Sequence, residues 1–160
     1  MRTRVVLLAS VLGLAAVGLA AAGLNGHWHT HATGADEVPA NESSAQAQAS
    51  FKLAADGASL SYKLNVANIE NVTQAHIHMA PAGSNGAIVA WLYPSGPPAQ
   101  LMPGRSSGTL GEGTITAASL VGPLAGQPLS ALVSALDTGN AYVNVHTTQF
   151  PGGEVRGNIR

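Results

Sequence analysis

Ser44-Ala45-Gln46-Ala47-Gln48-Ala49-Ser50-Phe51 alternates small or apolar residues with polar ones at every step, the period of two that puts one set on a buried face and the other in water. Asp56-Gly57 follows as a turn signal, and Leu60, Tyr62, Leu64 and Val66 resume the alternation. Residues 44–66 therefore predict an antiparallel hairpin. Working outward, the same pattern predicts strands over residues 73–79, 87–93, 108–115, 141–147 and 153–159, separated by connections rich in Gly, Pro and Ser, with 94–104 as a flexible loop. About seven or eight short strands at this spacing predict an all-β domain, a Greek-key β-sandwich or a partly closed barrel. One stretch departs from it. Leu129, Leu132, Val133 and Leu136 fall at i, i+3, i+4 and i+7 with Gly139 placed to end a helix, so one short helix is expected there. Thr116 is placed to cap a single helical turn over residues 117–120.

Composition sets the outer limits. The 160 residues are 46% hydrophobic, 9% charged and 4% aromatic, so the core has to be built from Ala, Val, Leu and Ile, and charge-driven disorder is excluded. There is no cysteine, which removes disulfides, thiolate metal sites, a thiol nucleophile and a lipoprotein anchor. Arg2 and Arg4, the apolar run from Val5 to Leu19, and Ala20-Ala21-Ala22 make the pattern of a secretory signal over residues 1–22. Its removal leaves a mature chain starting near Gly23, with no stable membrane anchor, in the periplasm or outside the cell; uncleaved, the run continued to Leu24 reaches about 20 apolar residues, long enough to anchor the chain. Without Arg2 and Arg4 five basic residues face eight acidic ones, a net charge of −3, and a nucleic-acid partner is not expected. Residues 23–43 read as a flexible, His-containing leader into a domain spanning 32–160.

Five of the six histidines lie in two alternating groups, His27-Trp28-His29-Thr30-His31 and His76-Ile77-His78, and the sixth is His146. In a strand, residues i and i+2 share a face. Ala75, Ile77 and Met79 take the core side, so His76 and His78 project outward together. Val143 and Val145 likewise send Tyr142, Asn144 and His146 outward, and Val155 and Ile159 do the same for Glu154, Arg156 and Asn158. Two imidazoles about 7 Å apart at Cα, with a third from a neighbouring strand, make a nitrogen donor set for copper or zinc. His76, His78 and His146 are thus the expected ligands at the outer surface of the sheet, with binding weakening as pH falls through about 6.5. The bland alternative is that they hydrogen-bond nearby loops. Asn144, Glu154 and Arg156 are expected around the ligands, with Arg156 attracting anions or pairing with a carboxylate such as Glu154. His27, His29 and His31 are a second candidate metal site, expected to be mobile and weak. Met79 is expected to fill core, and Met102, in the 94–104 loop, is a freer thioether.

Four ordered motifs carry a family resemblance: Gly34-Ala35-Asp36-Glu37-Val38-Pro39; Ala75-His76-Ile77-His78 with Pro81-Ala82-Gly83-Ser84-Asn85-Gly86; Tyr142-Val143-Asn144-Val145-His146-Thr147; and Pro151-Gly152-Gly153-Glu154-Val155-Arg156-Gly157. From about residue 32 to 160 the chain resembles the CHRD domain, the module named after chordin and common as a small exported bacterial protein, which implies a compact β-sandwich-like domain. A weaker likeness is to the copper strand of Cu/Zn superoxide dismutases, in which His76, His78 and His146 match copper ligands and Arg156 the substrate-guiding cation. A bridging histidine, the zinc-loop ligands and the loop disulfide have no counterpart here. The reading that results is an exported domain that binds a metal ion, copper first and zinc second, as a buffer or carrier without turnover. A structural or adhesive module with an extracytoplasmic protein partner is the alternative, and a dismutase-like redox enzyme stands third.

Overall fold

The computed structural model describes residues 26–160, so the export signal expected at 1–22 lies outside the described residues. Seven strands form one all-antiparallel sheet: β1 (His27–Thr33), β2 (Gln46–Leu53), β3 (Leu60–Met79), β4 (Ala87–Tyr93), β5 (Met102–Ile115), β6 (Ala141–Thr147) and β7 (Val155–Asn158). The order β2-β1-β7-β6-β3-β4 closes on itself because β3 also pairs with β2. β2, β1, β7, β6 and β3 thus make a five-stranded barrel, and β4 and β5 extend it from β3. The all-β, partly closed barrel with one helix expected from the sequence is the fold observed.

Closure depends on β3. Its first half pairs with β2 and its second half with β6, with a register shift between Val66 and Ile69. Asn68 and Asn71 carry positive φ of 56° and 53°, a conformation asparagine tolerates better than most residues. Asn68 Oδ1 accepts from Arg105 Nη2 at 2.6 Å and Asn71 Oδ1 from the Gly104 amide at 2.9 Å. The sequence suggests two strands here. The bulged segment is instead kept within one 20-residue strand by these bonds to β5, since a bulge turns a strand without ending it. For the same reason Met102 does not lie in a free loop: it begins β5, packs against the core, and its sulfur accepts from Ser106 Oγ.

The expected leader also changes character. His27–Thr33 is β1, paired along its whole length with β2, and Trp28, Thr30 and Ala32 are buried. The Trp28 indole donates to Asp137 Oδ1 at 3.1 Å. The alternation of His27, His29 and His31 with Trp28, Thr30 and Ala32 is compatible with a strand as well as with a mobile tail. Burial of one face holds the stretch in the barrel.

The core is aliphatic, as the composition requires: Leu60, Leu64, Ile77, Val143, Val145, Val155 and Ile159 fill the barrel, and Met79 packs against it as expected. Helix α1 (Leu129–Asp137) forms where its apolar spacing places it and buries Leu129, Leu132, Ala135 and Leu136, with Val133 only half-buried. Thr138 Oγ1 closes it by donating to the Ser134 carbonyl at 2.8 Å, and Gly139 follows at φ 68°. The turn after Thr116 is a 3-10 turn at Ala117–Ser119, with the Thr116 amide donating to Ser119 Oγ at 2.7 Å. Leu132 is fully buried. Replacing it by Ala should therefore cost about 2 to 5 kcal/mol; an unchanged chemical denaturation midpoint would show that the α1 face does not hold the core together.

Candidate metal centre

Residues directly opposite one another in antiparallel strands share a face. The β3–β6 register pairs Ala75 with Val145 and Ile77 with Val143, which point into the barrel, and pairs His76 with Asn144 and His78 with Tyr142, which point out of it. His146 lies opposite Gln74, and Arg156 of β7 opposite Asn144. Trp91 of β4 flanks His76 on its other side. One face of four strands thus gathers His76, His78, His146, Asn144, Tyr142, Arg156 and Trp91.

That face is not in water. His76 is 0%, His78 8%, His146 6% and Arg156 1% exposed, and every residue of β6 is buried. The expectation of an outer-surface site is corrected, because connecting loops are bonded down over the polar face. His78 Nδ1 donates to the Gly86 carbonyl at 3.0 Å, and the Gly86 amide donates to the Tyr142 hydroxyl at 3.2 Å. Arg156 donates through Nη1 to Asn85 Oδ1 at 3.0 Å and through Nη2 to the Ser84 carbonyl at 2.6 Å. His146 Nδ1 donates to the Pro151 carbonyl at 3.0 Å. The 81–86 loop needs glycine at its close: a Cβ on Gly86 would collide with the Met79 carbonyl. Gly153, at φ 131°, leaves room for Asn144 and Glu37 in the same way.

The three imidazoles converge. Their ligand atoms lie within 4.8 Å of one another, the one such group of three among the described residues. His76 Nδ1 faces His146 Nε2 at 3.3 Å. Ring centroids are 5.1 Å apart for His76–His146, 5.6 Å for His76–His78 and 6.1 Å for His78–His146. An ion at about 2.0 to 2.1 Å from one nitrogen of each ring would hold the centroids about 5 to 6 Å apart. The carbonyl bonds at the Nδ1 atoms of His78 and His146 turn their Nε2 lone pairs inward, the outer-shell arrangement that orients a metal-binding histidine. His76 Nε2 and His78 Nε2 are buried with no protein partner.

The surrounding charges differ from the sequence reading. Glu154 does not pair with Arg156; its carboxylate accepts from Ser43 Oγ at 2.6 Å and Thr147 Oγ1 at 2.7 Å, tying down the segment before β2. The carboxylate that acts on Arg156 through space is Glu37, which accepts from Asn144 Nδ2. Asn144 Nδ2 also donates to the Val155 carbonyl at 3.3 Å, so Asn144 links Glu37 to β7 and is not in the ligand cluster. Nor is Arg156 free to attract anions: its guanidinium lies 3.5 Å from the centre of the Tyr142 ring, which stacks in turn on His78 at 4.8 Å. Sequence reasoning missed Glu37 as a site residue, and it missed Trp91, whose ring meets His76 edge-on at 4.3 Å. Glu37 stands inside the Gly34–Pro39 motif; Trp91 carries no signal except its place on a strand next to the histidine strand. His27, His29 and His31 are brought to no part of this cluster and stand exposed on β1.

Burial holds all three imidazoles neutral. His76 is pushed down to about 3 by burial and then by His146 and His78, and His146 to about 4, chiefly by burial. His78 is lowered by burial, with the Gly86 hydrogen bond opposing and Arg156 reinforcing. Glu37 moves up to about 7 because its burial outweighs the pull of Arg156. The lone pairs therefore stay available well below the pH of about 6.5 at which free imidazole protonates.

Among known proteins, the CHRD domain family model matches residues 28–159. Comparison with curated proteins and with solved structures gives no match.

The metal-free protein should lose stability in acid. The unfolded chain takes up imidazole protons near pH 6.5 while the folded chain resists them to about 4 at His146 and about 3 at His76. Stability from these neutral histidines is thus present above about pH 6.5 and is lost as pH falls toward those folded values. Glu37, raised to about 7, works the other way: its share is present below the unfolded carboxylate value and is lost as pH rises through 7. It offsets one histidine of three. The denaturation midpoint should fall from pH 6.5 to 4, and fall less in His76→Gln; a flat or rising midpoint would contradict the buried neutral triad.

Proposed function

The chain belongs to the CHRD domain family, and we propose that it is an exported domain holding one copper ion between His76, His78 and His146, as a buffer or carrier without turnover. The observation that carries this reading is the buried, unpartnered Nε2 of His78 in a cluster whose ring spacings suit one ion. A buried polar atom with no partner costs about 1 to 3 kcal/mol. Histidines that served only to tie loops would gain their carbonyl bonds and still bear that cost. An ion bound by His76 Nδ1, His78 Nε2 and His146 Nε2 uses the inward lone pair of His78 and takes the place of the proton between His76 and His146.

Nitrogen donors alone favour copper over zinc in the affinity order of divalent metals. The closed setting supports holding over catalysis, since catalytic metal sites keep a position open to substrate, whereas His76 is fully buried against Trp91 and His78 is buried and bonded to the 81–86 loop. Arg156 fits this role as the clamp of that loop. Export is supported by the Arg2, Arg4, Val5 to Leu19 and Ala20-Ala21-Ala22 pattern. No helix among the described residues is long and apolar enough to cross a membrane.

Copper added to the purified protein should quench Trp91 fluorescence at one tight equivalent, and His78→Ala should weaken that binding by at least about 100-fold, more than loss of an outer-shell partner costs. A folded His78→Ala protein with unaltered affinity for both copper and zinc would leave the triad a structural tie between loops. Intact mass of the exported protein should correspond to a start near Gly23; a full-length mass in the membrane fraction would mean that the signal is kept as an anchor.

A further inference from the structure

The triad leaves the alternating histidines of β1 unused. His27, His29 and His31 are exposed while Trp28, Thr30 and Ala32 are buried, so the three imidazoles stand on one face of a strand hydrogen-bonded between β2 and β7. Adjacent members are about 7 Å apart at Cα, a separation at which both rings reach one ion. The outer pair, twice as far apart, cannot do so.

We propose that His29 and His31 form a second, exposed metal site, a two-imidazole chelate for Cu2+ completed by water. The neighbours on β2 favour this pair. On that side His29 lies opposite Ser50 and His31 opposite Gln48, whereas His27 lies opposite Lys52, whose ammonium opposes a cation; on the β7 side His29 lies opposite Arg160. His29 and His31 form the ridge between two shallow grooves. One, of about 340 Å³, runs over Gln48, Ser50, Lys63 and Asn65; the other, of about 280 Å³, contains Asp36, Asn158 and Arg160. Asp36 and Arg160 balance in charge there, so the attraction for metal comes from the imidazoles. The one hydrogen bond held by either ring is from His31 Nε2 to Gln46 Oε1 at 3.3 Å, on an exposed side chain that can yield it. Imidazole is a ligand suited to copper and zinc, and β-sheet pairing on both sides of β1 fixes the two rings' bases before the ion arrives.

The same outer face runs on to the triad. Thr33 pairs with Arg156, and His29 and Arg160 exchange backbone hydrogen bonds at 2.8 and 3.0 Å, so His31 stands in the row of Asn158, Tyr142 and His78. Three strand spacings, about 14 Å, separate the surface pair from the buried one.

The test is a Cu2+ titration of the purified protein by calorimetry, with paramagnetic broadening of backbone amide signals to locate each equivalent. The expected result is two equivalents, the weaker broadening residues 28–32 and 47–51; the double variant His29→Ala/His31→Ala loses that equivalent and keeps the other, and His27→Ala keeps both. These positions are exposed, so the variants should fold. If the triad binds nothing, the wild-type protein should still take one equivalent that disappears in the double variant, which separates failure of this site from failure of the triad. Copper stoichiometry and broadening unchanged in the double variant would overturn the proposal.

Discussion

Burial of the second half of β3 on both of its faces is the constraint from which the rest of the structure follows. Ala75 and Ile77 must enter the barrel, so His76 and His78 must leave it, and yet those imidazoles are also withdrawn from water. Burying a polar face is costly unless its atoms are given partners. The 81–86 loop, the Pro151 turn, Asn144 and Glu37 supply most of them, and the Nε2 atoms of His76 and His78 are left without one. The protein therefore has two interiors back to back, an aliphatic one inside the barrel and a hydrogen-bonded one under its loops, sharing β3 and β6 as their common wall.

The polar interior has its own order. Arg156 brings a full charge into it, and the cation is met by the Tyr142 ring, two oxygens of the 81–86 loop and, at longer range, Glu37. His78 lies on the other side of Tyr142. A guanidinium, a phenol and an imidazole thus form one stack, and the loop held by the first of them also accepts the hydrogen bond of the last. Orientation of the His78 lone pair and closure of the loop are consequently one event. The neutral state of the histidines belongs to the same arrangement, because the burial that leaves the Nε2 atoms of His76 and His78 without protein partners also lowers the proton affinity of all three imidazoles.

Much of this was written in local pattern. Period-two alternation located β4 and β6 at their observed limits, the 3.6 spacing located α1, and alternation of His76 and His78 with Ala75, Ile77 and Met79 separated the histidines from the aliphatic core, because strand and helix periodicities depend only on backbone geometry. Two readings failed where pattern and environment part. The expected strands stop at residue 66 and resume at 73, and only the bonds from Arg105 to Asn68 and from Gly104 to Asn71 show that the chain passes between them as a bulge. His27–Thr33 looks like a tail by polarity, and only pairing with β2 and burial of Trp28 make it a barrel strand.

The all-β class, helix α1, the aliphatic core and the common face of His76 and His78 are each legible in the chain's own pattern, as consequences of side-chain spacing along one strand or helix. The meeting of His146 with that pair, the choice of Glu37 over Glu154 as the carboxylate that acts on Arg156, and the burial of the whole cluster arise only when the strands assemble. Those depend on strand order, on register and on where loops return, which are fixed by contacts between residues far apart in the chain. No spacing within a segment encodes them, because each is a property of two segments at once.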